Sequence, residues 1–234
     1  LIPTFSDTKS LGTSVTVPYF HVISESSDLT FKPRFFSTSE YLLQSEFRKE
    51  TKKSSHIADF SINKDEDKNG TKTHFFSNSV FNLDQNFFDN SKINFKLEKV
   101  SNDDFTKIYS LESTSPIIKD TNILENIFEF SGSRDDLDFN LSLESYESMN
   151  KLNSDKYEFV YPNYSLSKAI DLESDLVESL DFSSTGNQKK FSTNIYEAIQ
   201  VNDLILTSSK FINKLGFNNK LKTIIKNVNS DSNN

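Results

Sequence analysis

Apolar and polar residues alternate with a period of two along most of this chain. In "DDLDFNLSLES", Leu137, Phe139, Leu141 and Leu143 alternate with Asp136, Asp138, Asn140, Ser142 and Glu144. Successive side chains of a strand point to opposite faces, so such a run has one apolar and one strongly polar face. "KINFKLEK" repeats the pattern, with Ile93, Phe95 and Leu97 against Asn94, Lys96 and Glu98. Residues 170–182 are expected to set Ile170, Leu172, Leu176, Leu180 and Phe182 against Asp171, Glu173, Asp175 and Asp181. Further runs lie at 15–19, 29–35, 43–47, 58–62, 75–81, 157–161, 191–196 and 217–225. Polar clusters punctuate them: "SESSD", "KDEDKNG", "NSDK", "STGNQ" and the tail "NSDSNN". "NILENIFEF" has a helical reading, but it continues into "SGSRDD" at strand-sized spacing, and no helix of more than two turns is expected. At about 10 residues per strand, the chain is predicted to be all-β and antiparallel, with about 12 to 13 strands.

Two architectures bury one face of such strands. A soluble sandwich packs apolar faces together and wets the polar ones, whereas a membrane β-barrel turns its apolar face to lipid and its polar face to a water-filled lumen. The polar faces here carry many Asp, Glu and Lys residues, which suits a lumen. The pattern by itself leaves a membrane barrel and a soluble β domain equally open.

Composition narrows the choice little. The apolar material is concentrated in bulky rings, 22 Phe and 8 Tyr with no Trp, while mean hydropathy is only −0.54. No run approaches the roughly 18 apolar residues of a membrane-spanning helix. A net charge of −8 argues against nucleic acid as a partner, since phosphate tracking needs a basic face. Without cysteine the chain has no disulfide, thiolate metal site or thiol nucleophile. It opens without Met or a basic, apolar leader, inside a strand-like run, so it reads as a portion of a longer protein with any signal peptide outside it.

Candidate chemistry is sparse. "DEDKNG" matches the first half of a calcium loop, with oxygen donors at Asp65, Asp67 and Asn69 and a turn at Gly70. Its twelfth position is Phe76 instead of a bidentate Glu, so an acidic surface loop is the expectation. Asp135, Asp136 and Asp138 are read as lumen or loop charge, with Asp135 and Asp136 on opposite sides of a strand. His21, His56 and His74 lack a second histidine at ligand spacing and are expected to be solvated or half-buried. Asn69, Asn140 and Asn163 head Asn-x-Ser/Thr triplets, a common chance motif. No phosphate loop, nucleophile elbow or metal motif is present; no enzyme activity, metal or cofactor is expected.

The first 50 residues are distinctive. Pro3, then Pro18-Tyr19-Phe20, Asp28 and Thr30, Pro33, and Glu46-Phe47-Arg48 follow in order. This stretch resembles the start of the barrel domain of the LPS-assembly outer-membrane protein family LptD, the organic solvent tolerance proteins. "KVSNDDF" at 99–105 is similar to the family's Val-Ser-Asp loop before an aromatic, and "VNDL" at 201–204, Gly216 and "KNVN" at 226–229 are similar to later barrel strands. The chain departs from the family pattern in "FSTSE" before the next strand, in Lys49 after Arg48 and in Asn102.

The resemblance implies that residues 1–234 are the first part of an up-and-down outer-membrane β-barrel, a partial and open one, with a periplasmic jelly-roll domain and further strands outside the chain. It implies a non-enzymatic lipopolysaccharide translocon in the outer membrane, which inserts lipopolysaccharide into the outer leaflet between the first and last barrel strands. The implied partners are lipopolysaccharide, a plug lipoprotein in the lumen and the periplasmic bridge reached through the jelly roll. A general diffusion porin and a secreted soluble β-sandwich or adhesin are the alternatives. Proline gives no N–H to a ladder, so Pro3 and Pro18 are expected to weaken the first two strands beside a lateral gate. Pro33 and Pro162, placed further from that seam, are read as strand ends or bulges. On the same reading Phe139 and Leu141 face lipid, and Asp138 and Asn140 face the lumen.

Overall fold

The structure, a computed structural model, describes residues 2–9, 11–65, 70–151 and 155–233. It is nearly all antiparallel β. The strands are β1 (Thr4–Thr8), β2 (Gly12–Thr16), β3 (Tyr19–Ser24), β4 (Ser27–Phe36), β5 (Glu40–Glu50), β6 (Ser54–Asp65), β7 (Thr71–Leu83) and β8 (Asn90–Val100). After a short helix α1 (Phe105–Ile108) and a 3-10 turn (Leu111–Ser113) come β9 (Ile123–Arg134), β10 (Leu137–Ser148), β11 (Tyr157–Ile170), β12 (Val177–Phe191), β13 (Tyr196–Ser208), β14 (Phe211–Ile212), β15 (Asn218–Asn219) and β16 (Lys222–Asn233).

One up-and-down sheet runs β1-β2-β4 and on in sequence to β13-β16, with β3 also paired to β4; β14 and β15 form a separate small hairpin. Among the described residues β1 pairs only with β2 and β16 only with β13, so the first and last strands do not pair with each other. β2 and β3 keep one register against β4, from Thr16↔Arg34 to Tyr19↔Phe31. They are one strand interrupted at Val17 and Pro18. The sheet's 14 strands thus count as thirteen, within the number the spacing predicts.

Several boundaries differ from the sequence reading. Residues 171–176 form a turn, so Leu172 and Leu176 are not on a strand face with Leu180. The Asp171 carboxylate accepts the Glu173 N–H at 2.9 Å, and Glu173 is left-handed at φ 46°; a local Asx bond of this kind competes with the ladder. Residues 192–195 likewise separate β12 from β13. "STGNQ" lies inside β12 rather than in a turn, because both neighbouring strands pair with it, Gly186 with Tyr164 and Gln200. A Cβ at Gly186 would meet the Tyr164 ring at 2.7 Å. The tail through Asn233 pairs with β13 as part of β16. "NILENIFEF" is strand, as its spacing predicts. Pro162 falls at the register shift between Val160 and Asn163, the bulge expected for it.

The chain divides into two compact units. Unit 1 is Leu1–Asn82, Asn94–Ile127 and Tyr146–Tyr157, and unit 2 is Leu83–Ile93, Phe128–Ser145 and Glu158–Asn234. In unit 1, one sheet face carries the rows Thr30-Glu46-Asp59-Phe76 and Lys32-Gln44-Ser61-His74. The segment 101–122 lies on this face. Its Phe105, Tyr109, Leu111 and Ile118 join Phe36, Leu42, Phe76, Val100, Leu124 and Met149 in the only apolar cluster described. The opposite face carries Phe31-Ser45-Phe60-Phe75 and is the more exposed, with Phe60 and Phe75 each 39% accessible.

In unit 2, the rings of Phe87, Phe88, Phe130 and Phe139 form a chain of contacts 4.8 to 6.1 Å apart. Gly132 lets Phe88 lie flat on the backbone, since a Cβ there would stand 2.8 Å from the ring.

Candidate functional site

The first candidate is the edge formed by β1 and the β2-β3 strand. β1 pairs with β2 from Thr8↔Gly12 to Thr4↔Thr16, and the pairing stops where Pro3 and Pro18 stand. Pro3 precedes β1 rather than lying within it, which corrects the expectation of a proline inside the first strand. The Val17 N–H donates to the Pro33 carbonyl on β4 at 3.0 Å. Neighbouring residues of an antiparallel strand direct their backbone groups to opposite sides. Position 18 therefore points away from β4, toward the side where β1 lies, and as proline it presents no donor there. Pro33, read from sequence as remote from this seam, stands directly across from Val17 and leaves the Val17 carbonyl without a ladder donor. Beyond Pro18, Tyr19–Ser24 is exposed throughout and pairs on one side only.

Beside this free edge lies an open cleft of about 610 Å³, lined by Phe20, Val22, Asp28, Arg48, His56 and Ile57 among others. Arg48 Nε donates to Asp28 Oδ1 at 2.9 Å. The cleft combines apolar side chains with an ion pair.

The second candidate is the covered polar face of unit 1. Arg34, 7% accessible, donates from Nη1 to the Tyr109 carbonyl at 2.8 Å, from Nε to Ser14 Oγ and from Nη2 to Ser6 Oγ. Lys32 Nζ donates to the Thr114 carbonyl at 2.6 Å and to Glu46 at 2.8 Å. Tyr109 donates its hydroxyl to Glu40, and Thr114 to Gln44 Oε1. These polar contacts, as well as its rings, tie segment 101–122 to the strands. At one end of the segment Lys156 bridges Asp103 and Glu147; the Asp103 carboxylate foremost, then Glu147, raises the ammonium pKa above its ordinary value.

His21 is exposed and His56 half-buried, as expected, but beneath Phe105 the expectation fails for His74. His74 is 1% accessible, and Asp59 and Ser61 are fully buried beside it. His74 Nδ1 and Ser61 Oγ share a hydrogen bond of 2.5 Å. Nε2 stands 3.2 Å from Asp59 Oδ1, near enough for attraction but not aligned as a hydrogen bond. Asp59 also accepts two bonds from Gln44 Nε2. These residues lie in two adjacent rows of one face, because the β6-β7 register pairs Ser61 with His74 and Asp59 with Phe76. Serine, histidine and aspartate here have no access for a substrate, and the cluster cross-links strands. The alternation in the sequence places each on the polar face; only the pairing register brings them together.

The β10 residues fall on two faces. Phe139 packs on Phe130 at 6.1 Å, and Leu141 shares that side. Asn140 donates to Glu129 Oε1 at 2.6 Å on the other side, with Asp138. Further along, Ser142 is 4% accessible and Leu143 46%. Asn163 donates to Glu144, so Asn140 and Asn163 each engage a carboxylate. Asp135 and Asp136 occupy the β9-β10 turn, not opposite sides of a strand, and Asp136 is bonded by Arg134 and Lys168. Of the calcium-loop residues, Asp67 and Asn69 lie outside the described residues and Phe76 is in the core of unit 1. Among the described residues no group of three or more potential ligands is placed to hold a metal ion.

Comparison with known proteins finds no family model that matches the chain and no curated protein significantly similar to it.

Proposed function

We propose that this chain forms part of the wall of an outer-membrane β-barrel that passes lipopolysaccharide into the outer leaflet beside its first strands, without enzymatic chemistry. The observation that carries this reading is the inverted placement of side chains. Arg34, Gln44, Glu46, Asp59, Asn63 and His74 are buried, while Phe35, Phe60, Phe75, Phe81 and Phe95 are exposed. Water on both sides would favour the reverse, since charged groups are rarely buried and large exposed apolar surface is costly. A lipid exterior and a polar interior remove the conflict. On the outward face of β6, His56 and Lys64 bracket Ala58, Phe60 and Ile62, a length of strand that suits a tilted membrane crossing of about 9 to 11 residues.

The resemblance to the LptD family supplies the cargo and partners: lipopolysaccharide, a plug lipoprotein and the periplasmic bridge joined through a jelly-roll domain. Lipopolysaccharide needs lipid for its acyl chains and water for its sugars, and a slit between strands serves both. The ladder that ends at Pro3 and Pro18, the missing donor of Pro33 and the amphiphilic cleft at Arg48 support a slit at this edge. Segment 101–122 lying on the polar face disfavours a general diffusion porin, which needs an open lumen.

The test uses single cysteines at Phe139, Leu141, Asp138 and Asn140 in the membrane-inserted protein, with any cysteine outside residues 1–234 replaced; these 234 residues contain none. A charged maleimide is expected to label positions 138 and 140 about tenfold faster than 139 and 141, the alternation of lumen and lipid. Equal labelling at all four overturns the membrane reading in favour of a soluble β domain.

A further inference from the structure

The segment joining β13 to β16 differs in character from the rest of the acidic chain. Residues 209–222, "SKFINKLGFNNKLK" with its leading Ser209, contain Lys210, Lys214, Lys220 and Lys222 and no Asp or Glu, in a protein of net charge −8. The same stretch holds Phe211, Ile212, Leu215, Phe217 and Leu221, of which Ile212 and Leu215 are 74% and 80% accessible.

This is an ordered hairpin. β14 pairs with β15 through Phe211↔Asn219 and Ile212↔Asn218. At the tip, Asn213 Oδ1 accepts the N–H groups of both Leu215 and Phe217 at 3.0 Å, and Gly216 supplies the left-handed residue at φ 82°. The base is closed by Ser208 N–H on the Leu221 carbonyl and Leu221 N–H on Ser208 Oγ. These bonds hold the turn's backbone in place, while its apolar side chains are exposed. Lys220 pairs with Glu178 at 2.6 Å; Lys214 and Lys222 have no carboxylate partner among the described residues.

We infer that the hairpin Lys210–Lys222 is a docking element for an anionic lipid surface. Large apolar side chains on a pre-formed turn enter the boundary between headgroups and acyl chains, and lysines around them reach anionic headgroups with their stems along the apolar surface. The charge selects the occupant. The remainder of the chain is acidic and is repelled by an anionic bilayer, so this basic hairpin is where contact is favourable. The inference goes beyond the translocon reading and holds for a soluble protein equally well.

The chain contains no tryptophan, so Leu215→Trp gives a single reporter. The full-length chain is mixed with vesicles of phosphatidylcholine alone or containing phosphatidylglycerol. The emission is expected to shift to the blue and to be quenched by lipid brominated near the glycerol end, in the phosphatidylglycerol vesicles only. In an added Lys214→Gln, Lys222→Gln background, which keeps the Lys220–Glu178 pair, the apparent affinity should fall about tenfold, as should raising salt to about 0.5 M. Emission that stays at its aqueous position with phosphatidylglycerol overturns the inference in favour of an acidic protein partner or none. An equal response to both lipids overturns it in favour of uncharged apolar contact. A separate Phe60→Trp reporter, quenched by deeply brominated lipid, reads the barrel proposal, so either can fail while the other stands.

Discussion

His74 and Asp59 are neighbours across strands with no water to fall back on. Asp59 takes both Gln44 bonds and faces the imidazole, so its removal strands the buried Gln44 amide. Leaving such groups unpaired costs about 1 to 3 kcal/mol. Asp59→Ala is expected to lower unfolding stability by that amount in a urea titration, with Asp59→Asn closer to the parent; equal stability of all three would show the cluster to be incidental. Asp136 is the opposite case, an exposed carboxylate in the β9-β10 turn. Hydrogen bonds from Arg134 first and Lys168 second pull its pKa down from 3.8 to about 2. A carboxyl depressed in the folded state contributes stability above its unfolded pKa and loses it as pH falls through the folded one. The contribution is therefore whole above about pH 4 and gone below about pH 2. Carboxyl NMR should show the Asp136 midpoint near 2, and Arg134→Gln should move it back toward 3.8; an unchanged midpoint in the variant would reject Arg134 as the main cause.

Among the elements, the strand made of β2 and β3 loses ladder donors to two prolines. Pro18 lacks a donor toward β1, and Pro33 lacks one toward Val17. Each N–H restored by Ala is worth about 0.5 to 1.5 kcal/mol net in water. Pro33→Ala should slow hydrogen exchange at residues flanking Val17, and the Pro18→Ala, Pro33→Ala pair should reduce lipopolysaccharide export in the full-length protein. Slower exchange with unchanged export would remove the gating role and leave a structural one. The prolines were visible in the sequence, but their relation was not. That Pro33 stands beside Pro18 follows from the register shared by β2 and β3 against β4. In the same way, local Asx bonding at Asp171 turned an alternating stretch into two strands, while pairing on both sides made "STGNQ" part of one.

For the molecule as a whole, alternation already determined that it is all-β, antiparallel and built of about thirteen strands, because a period of two is imposed by the backbone of each strand alone. It also separated Phe139 and Leu141 from Asp138 and Asn140, since neighbours on a strand cannot share a face. Alternation makes two unlike faces without saying which is covered. In unit 1 that was decided by segment 101–122, whose Phe105 and Tyr109 pack over the polar rows and whose carbonyls take Arg34 and Lys32. Its loop-like sequence carries no periodicity to announce this. The burial of His74, the alignment of Ser61 beside it and the proline row at the edge likewise needed strand register. Register is a relation between distant parts of the chain, fixed by pairing and packing, and a strand's own sequence specifies its faces but not its neighbours' alignment.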